Sequence, residues 1–395
     1  MRPRSIFPAL VIAPVLAGAA PAGNALLDAI DRANDQEVTA VLAREPELAH
    51  EANEKGETAL HIAAERGLVP VVKALLAARA PLDVKTKDGQ TALYLALRRK
   101  RQDIAGMLVD AGADVTASGP GRVTPLHLAV QLGYADAAEK MLLRGANPNG
   151  LTEWEETPLH LAAREDIAEL LLKAGARIDV RTRRRRTPLH DAALRGHVAV
   201  VRLLIRKGAR VEPQAESGRT PLHEAASNRQ TEAASVLLEN GADPDARDEQ
   251  GLSPLLVAAA DGHVPMAELL LSRRADPNAV ARQGHTPLHA AVEKGHKGVV
   301  ELLLRHGARL ESRTAGGYTP LHLAALSGFH DLVSFLLEKG ADAGATTDDG
   351  GTALKLALDR RWPKVVALLR DHLEKASKEA ASGPHGTAAA TPDGE

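Results

Sequence analysis

The sequence predicts an all-α solenoid of about eleven repeated helix pairs with β-turn fingers projecting between them. Three observations carry that expectation. A Thr, once replaced by Ser, recurs at positions 58, 91, 124, 157, 187, 220, 253, 286, 319 and 352, a period of 33 broken by one step of 30 from Thr157 to Thr187. A fixed period in this range is the mark of an array in which each unit buries its apolar face only against its neighbours. The second observation is the core Thr-Pro-Leu-His, of which seven copies keep both Thr and His: Thr58/His61, Thr124/His127, Thr157/His160, Thr187/His190, Thr220/His223, Thr286/His289 and Thr319/His322. The third is the recurrence of glycine at two places in the unit, one between two aliphatic runs, as at Gly196, and one after the second run, as at Gly208, Gly241, Gly307 and Gly340.

These residues define the unit in order. Thr is a good N-cap, and the Pro after it sits at N1, where its missing N–H costs nothing, so the first helix starts at the Thr. Paired alanines such as Ala192-Ala193 and Ala324-Ala325 let neighbouring helices approach closely. A turn such as Gly196-His197 ends this helix, a run such as Val200 to Ile205 builds the second, and Gly208, Gly241, Gly307 and Gly340 close their units as C′ residues. Twelve residues then lead to the next Thr, usually with a Gly two before it (Gly89, Gly218, Gly284), which suits a tight turn.

The T-P-L-H core and its period resemble the ankyrin repeat, and the resemblance covers most of the chain. It implies an ankyrin-repeat solenoid whose work is to bind other proteins.

At the amino terminus, Arg2 and Arg4 precede an apolar run from Ile6 to Ala20 and a small-residue site at Ala20-Pro21-Ala22. This is the tripartite form of a secretory signal peptide, so residues 1–22 are expected to be removed, with Ala19 as the alternative cleavage point. The other reading is an N-terminal membrane anchor, against which the run is short for a span and is interrupted by Pro8 and Pro14. The rest divides into an N-terminal capping repeat (23–54, helices over Ala25 to Ile30 and Val38 to Leu42), repeats over 55–351, a C-terminal capping repeat over 352–375 with Lys355 in place of His, and a tail, 376–395, expected to be disordered. An exported product is periplasmic or extracellular, and no span follows the leader.

The net charge of −2 over 395 residues gives no field to steer nucleic acid, which is not expected as a partner. With no cysteine there is no disulfide, thiolate nucleophile or cysteine metal site. No nucleophile–base pair, phosphate loop or metal spacing stands outside the repeat pattern, so neither an enzyme nor a cofactor is expected. Seven histidines at the repeat period read as structural groups near helix starts rather than as metal ligands. His197, His263 and His296 belong to turns, and His285, at a finger tip, is the one to test for ligand contact.

In the family this chain resembles, partners lie on the concave side, touched by the fingers and the end of the first helix. On this period those are the positions four, three and one before the Thr and seven and eight after it. Three adjacent units stand out. The Thr124 unit offers Val123 and Leu132. The Thr157 unit offers Glu153, Trp154, Glu156 and Arg164, and the Thr187 unit offers Arg183, Arg184, Arg186, Leu194 and Arg195. All three carry Arg122, Glu155 or Arg185 where other fingers have Gly. Trp and Arg are enriched at interface hot spots, which singles out Trp154, with Tyr318 as a second aromatic candidate. The run Arg183 to Arg186 suits an acidic surface or an anionic polymer, because guanidinium forks match carboxylates, sulfates and phosphates. The plainer alternative is a solvated charge run neutralised by Glu153, Glu155 and Glu156. A second run, Arg98 to Arg101, follows a first helix, where cations complement the helix dipole. The 30-residue step is expected to shorten the turn between the two helices of the Thr157 unit, where Arg164-Glu165-Asp166 stands.

Overall fold

A computed structural model describes residues 22–32 and 34–381, and every structural statement below is made of these. The leader therefore lies outside the described residues up to Pro21, and so does the tail beyond Ala381. The described chain is all-α, with 21 α-helices, no strands, and isolated bridges only at Ala52–Thr58 and Thr346–Thr352. It divides into two compact units, Met1–Pro158 and Leu159–Glu395.

The first unit holds four helix pairs: Ala22–Asp31 with Asp35–Arg44, Ala59–Arg66 with Val69–Ala77, Ala92–Arg98 with Gln102–Asp110, and Pro125–Leu132 with Ala135–Leu143. The second holds Glu165–Lys173 and then six pairs, beginning with Pro188–Arg195 and Val198–Arg206 and ending with Ala353–Asp359 and Pro363–Ala381.

Each first helix starts as its sequence dictates. Thr or Ser at the N-cap is extended, and Pro follows at N1 wherever the sequence has it. The core is mostly Leu, Val and Ala, with pairs such as Ala63-Ala64, Ala192-Ala193 and Ala324-Ala325 buried. Six turns between paired helices use glycine at positive φ, while Lys100, Arg229 and Arg361 take the same left-handed position in others, and at several of the glycines a side chain of the following unit packs against the turn. A Cβ on Gly328 would lie 2.5 Å from the Trp362 ring, and one on Gly262 2.5 Å from His296. Trp362 also donates its indole N–H to the Leu326 carbonyl at 3.1 Å. Trp362 and Phe329 are thus packing residues, as their turn positions suggest.

The fingers join edge to edge through single backbone bonds, Lys87 N–H to Lys55 O at 2.9 Å, Glu216 to Arg184 at 2.9 Å, Glu249 to Ser217 at 3.0 Å and Ala315 to Gln283 at 2.8 Å. Arg122, Glu155 and Arg185 have φ of 59°, 61° and 57°, against 75° and 74° at Gly89 and Gly218. The three fingers lacking glycine thus keep the left-handed turn, at a cost of about 1–2 kcal/mol each.

Two expectations are corrected. The 30-residue step does not merely shorten a turn. The first helix of the Thr157 unit is reduced to a 3₁₀ turn, Pro158–Leu161, and Arg164 becomes the N-cap residue of Glu165–Lys173. Removing three residues leaves too few for an α-helix while both ends stay tied to their neighbours. Second, the last helix runs past Lys375 to Ala381, into the segment expected to be disordered. Ala, Lys and Glu are strong helix formers, so a composition that buries nothing still propagates an existing helix.

The last helix pair is exposed on its outer side. Lys355 is exposed, as are Leu358 and Trp362. At the other end Arg66 pairs with Asp31 at 2.5 Å and donates to the Ile30 carbonyl, closing the amino-terminal pair onto the first full repeat.

Candidate concave binding site

The motif histidines are structural and directional. In six units the N-cap threonine N–H donates to Nδ1 of the histidine three residues on, at 3.0–3.3 Å. A backbone N–H can only donate, so Nδ1 is the acceptor and Nε2 carries the proton. That proton goes to a carbonyl of the next finger: Glu156 from His127 at 3.1 Å, Arg186 from His160 at 3.3 Å, Arg219 from His190 at 3.1 Å, Leu252 from His223 at 2.9 Å and Ala345 from His322 at 3.0 Å. Burial holds all seven imidazoles neutral by lowering their pKa, to about 4 at His160, His190 and His289. In those six units both ring nitrogens are occupied, so these imidazoles cannot ligate a metal. Among the described residues no group of three or more His, Asp or Glu side chains could hold one. His285 lies edge-on to His289, with ring centroids 5.9 Å apart.

In the first compact unit, Val123 and Leu132 are half-buried, at the approach to and the last turn of Pro125–Leu132. Trp154 sits on its finger with 62 % of its surface exposed. The run Arg98 to Arg101 is engaged within its own surroundings. Arg99 pairs with Glu65 at 2.5 Å and Arg101 donates to the Glu65 carbonyl, in line with its placement after a helix.

In the second, the arginines separate. Arg183 and Arg184 are exposed on the finger. Arg186 turns inward: its Nη2 meets Asp191 Oδ1 at 2.5 Å, and Asp191 is only 6 % exposed. Arg195 reaches the same carboxylate at 3.9 Å and donates to the His160 carbonyl at 2.9 Å. Sequence position thus identified two arginines of one buried network and missed its centre, Asp191. Leu194 is half-buried beside Arg195. Arg164 pairs with Asp166 two residues away at 2.6 Å, because the truncated helix moves it from a first-helix end to a second-helix start. Tyr318 is half-buried, its ring edge-on to His322 at 6.2 Å, so it packs locally rather than projecting.

The second unit carries a polar groove that the sequence reading did not include. A groove of about 510 Å³ is lined by Arg184, Arg186 and Arg219 facing Glu216, Glu224 and Glu249. A neighbouring one of about 580 Å³ shares Arg219 and Glu249 and has an apolar floor from the Ser253 unit. The signal lay at two positions. Arg occupies the place before the anchor only at 186 and 219, and an acid stands four after it only at Asp191 and Glu224. Other units have Ile, Leu, Val or Ala at that second position, so the polar pair was readable from the repeat alignment.

With helix pairs, N-cap threonines and finger-linking histidines in place, the architecture is that of a helix-pair repeat protein. The chain matches the family described as Ankyrin repeats (3 copies) over residues 26–119, 120–182, 159–248, 243–314 and 310–381. It therefore belongs to the ankyrin-repeat family, whose members generally mediate protein–protein interaction. No curated protein matches the chain.

Proposed function

We propose that this chain is an exported, non-enzymatic scaffold that captures a protein partner through its finger and inner-helix face, the first compact unit offering Trp154 with Val123 and Leu132, and the second Arg183 and Arg184 with Leu194 and Arg195. The observation that carries the reading is the 62 % exposure of a tryptophan on a finger, since a large aromatic on a solvated turn contributes little to stability and much to an interface. The absence of catalytic chemistry is part of the proposal. The two grooves that share Arg219 are lined by arginines, carboxylates, serines, a glutamine and aliphatic groups, without His, Lys or Cys. An acidic surface or anionic polymer bound by Arg183 to Arg186 is the weaker reading, because Arg186 is already neutralised by Asp191.

The test is crosslinked capture from the native compartment after fractionation. Trp154→Ala combined with Arg184→Glu should abolish recovery of the partner while leaving the thermal melt in place, and recovery should fall only modestly with salt. Undiminished capture by the double variant would overturn the reading. A steep loss with salt alone would favour the polymer. The recovered chain should begin after Ala22, and a cytosolic form beginning at Met1 would overturn export.

A further inference from the structure

The Ser253 unit departs from the repeat at one position with a large local effect. Where seven units place a histidine three after the anchor, this one has Leu256, which cannot donate to the next finger. Its place is taken by apolar contact: Leu256 clusters with Ala281 and Ala290, and Leu252 and Ala260 pack against them. Leu252, Val257 and Ala260 remain partly exposed, so an aliphatic strip lines the groove here, where the two preceding units carry Asp191 and Glu224 four after the anchor.

One wall of the groove above this strip is Arg219 and Ser227. Arg219 donates to the His223 carbonyl at 3.0 Å and to the Ser227 hydroxyl. Among the described residues it has no carboxylate within ion-pairing distance, and its Nε is buried without a hydrogen-bond partner. Its counterpart one unit earlier, Arg186, has Asp191. The groove's carboxylates are differently placed. Asp248 accepts from Gln250 N–H and Leu252 N–H at 2.9 Å each, and Asp261 pairs with Arg229 at 2.6 Å. Glu249 stands exposed on the finger, where water screens it, and Glu224 lines only the neighbouring groove. An unneutralised, half-buried guanidinium beside an aliphatic floor selects a ligand with a carboxylate close to a large apolar group, since charge-assisted forks are the strong hydrogen bonds of such sites.

We infer that the groove between the Thr220 and Ser253 units binds an extended acidic–apolar peptide segment, its carboxylate on Arg219 and its aliphatic or aromatic side chain on Leu252, Leu256, Val257 and Ala260. This rests on the chain being a protein-binding array, but it uses residues apart from Trp154 and Arg184, so the two can fail separately.

The test is selection of a random displayed-peptide library on the full chain, then fluorescence polarisation of labelled selected peptides. Enriched sequences should carry Asp or Glu within a residue or two of Leu, Ile, Met or Phe. Affinity should fall about tenfold or more in Arg219→Gln and in Val257→Asp, as expected for loss of a charged hydrogen bond or burial of an unpaired charge. Changing the peptide's acid to its amide should produce the same loss without touching the protein, which guards against a folding defect in Arg219→Gln. Trp154→Ala should leave affinity unchanged. Enrichment of basic peptides would mean that Glu224 and Glu249 govern the groove, and would overturn the inference. So would indifference to Arg219→Gln and to the amide peptide, or no enrichment at all. None of these results touches partner capture through Trp154.

Discussion

Asp191 is a carboxylate at the centre of two guanidinium groups, on a helix face where other units have an aliphatic residue or, once, Glu224. Pairing of this kind is weak evidence of net stabilisation, because two ions must be desolvated to form it, yet breaking it from one side leaves a buried charge unpaired. Asp191→Ala should therefore destabilise by about 3 kcal/mol in a denaturant titration. Asp191→Leu with Arg186→Leu should cost much less than Asp191→Ala alone. A small single-variant effect would show that Arg186 finds water instead. Residues of this kind were only half legible in the sequence. The arginines stood out as a run, whereas Asp191 reads as an ordinary helix-surface acid until the 6 % exposure of its side chain is known. Trp154 and Tyr318 looked alike at the level of residue type. The ring contact with His322 separates Tyr318 as local packing, and that contact depends on side-chain direction rather than on spacing.

At the scale of the element, the finger is the part whose tolerance to change varies most from copy to copy. Gly89 and Gly218 share the left-handed backbone, at 75° and 74°, but differ in what a side chain would meet. A Cβ on Gly89 enters open space, while one on Gly218 would lie 2.9 Å from the Glu249 amide nitrogen, the atom that joins this finger to the next. Gly89→Ala should cost only the strain of the left-handed region, about 1–2 kcal/mol. Gly218→Ala should cost distinctly more, with faster amide exchange at Glu249. Equal melting shifts would remove the distinction. Helix starts and fingers were readable in advance because threonine capping, proline at N1 and glycine turns are local chemistry. The collapse of the Thr157 unit's first helix into a 3₁₀ turn was not, since the same missing residues could have been taken from the turn or from the helix. Which one yields depends on how both ends are tethered by neighbouring units.

For the whole molecule, the seven buried histidines make stability a function of pH. Each has a folded-state pKa below its unfolded value, so the unfolded chain takes up protons that the native chain refuses. Their contribution is complete above pH of about 6.5, erodes as pH falls below it, and for His160, His190 and His289 goes on eroding to about 4. At pH 5 the loss should reach about 1–2 kcal/mol at each of these three. Calorimetric melts should show a fall in Tm between pH 7.5 and 5, at constant ionic strength. A flat profile would contradict neutral imidazoles. The repeat itself, and hence the fold, was fully legible, because one period written ten times is a signal that averages out local ambiguity. The concave chemistry was legible only in part, for it sits in the departures from that period, and a departure gains meaning from the neighbour it faces.

The hydrogen bonds from each histidine to the following finger all point one way along the chain, and this gives the array a grammatical direction. Every such unit ends in a question that only its successor answers: remove units from the carboxyl end and a ring N–H loses its acceptor, while removal from the amino end strands no such donor. Lys355 is where the sentence can stop. It replaces the histidine with an ammonium already in water, so this repeat places no ring N–H on a successor.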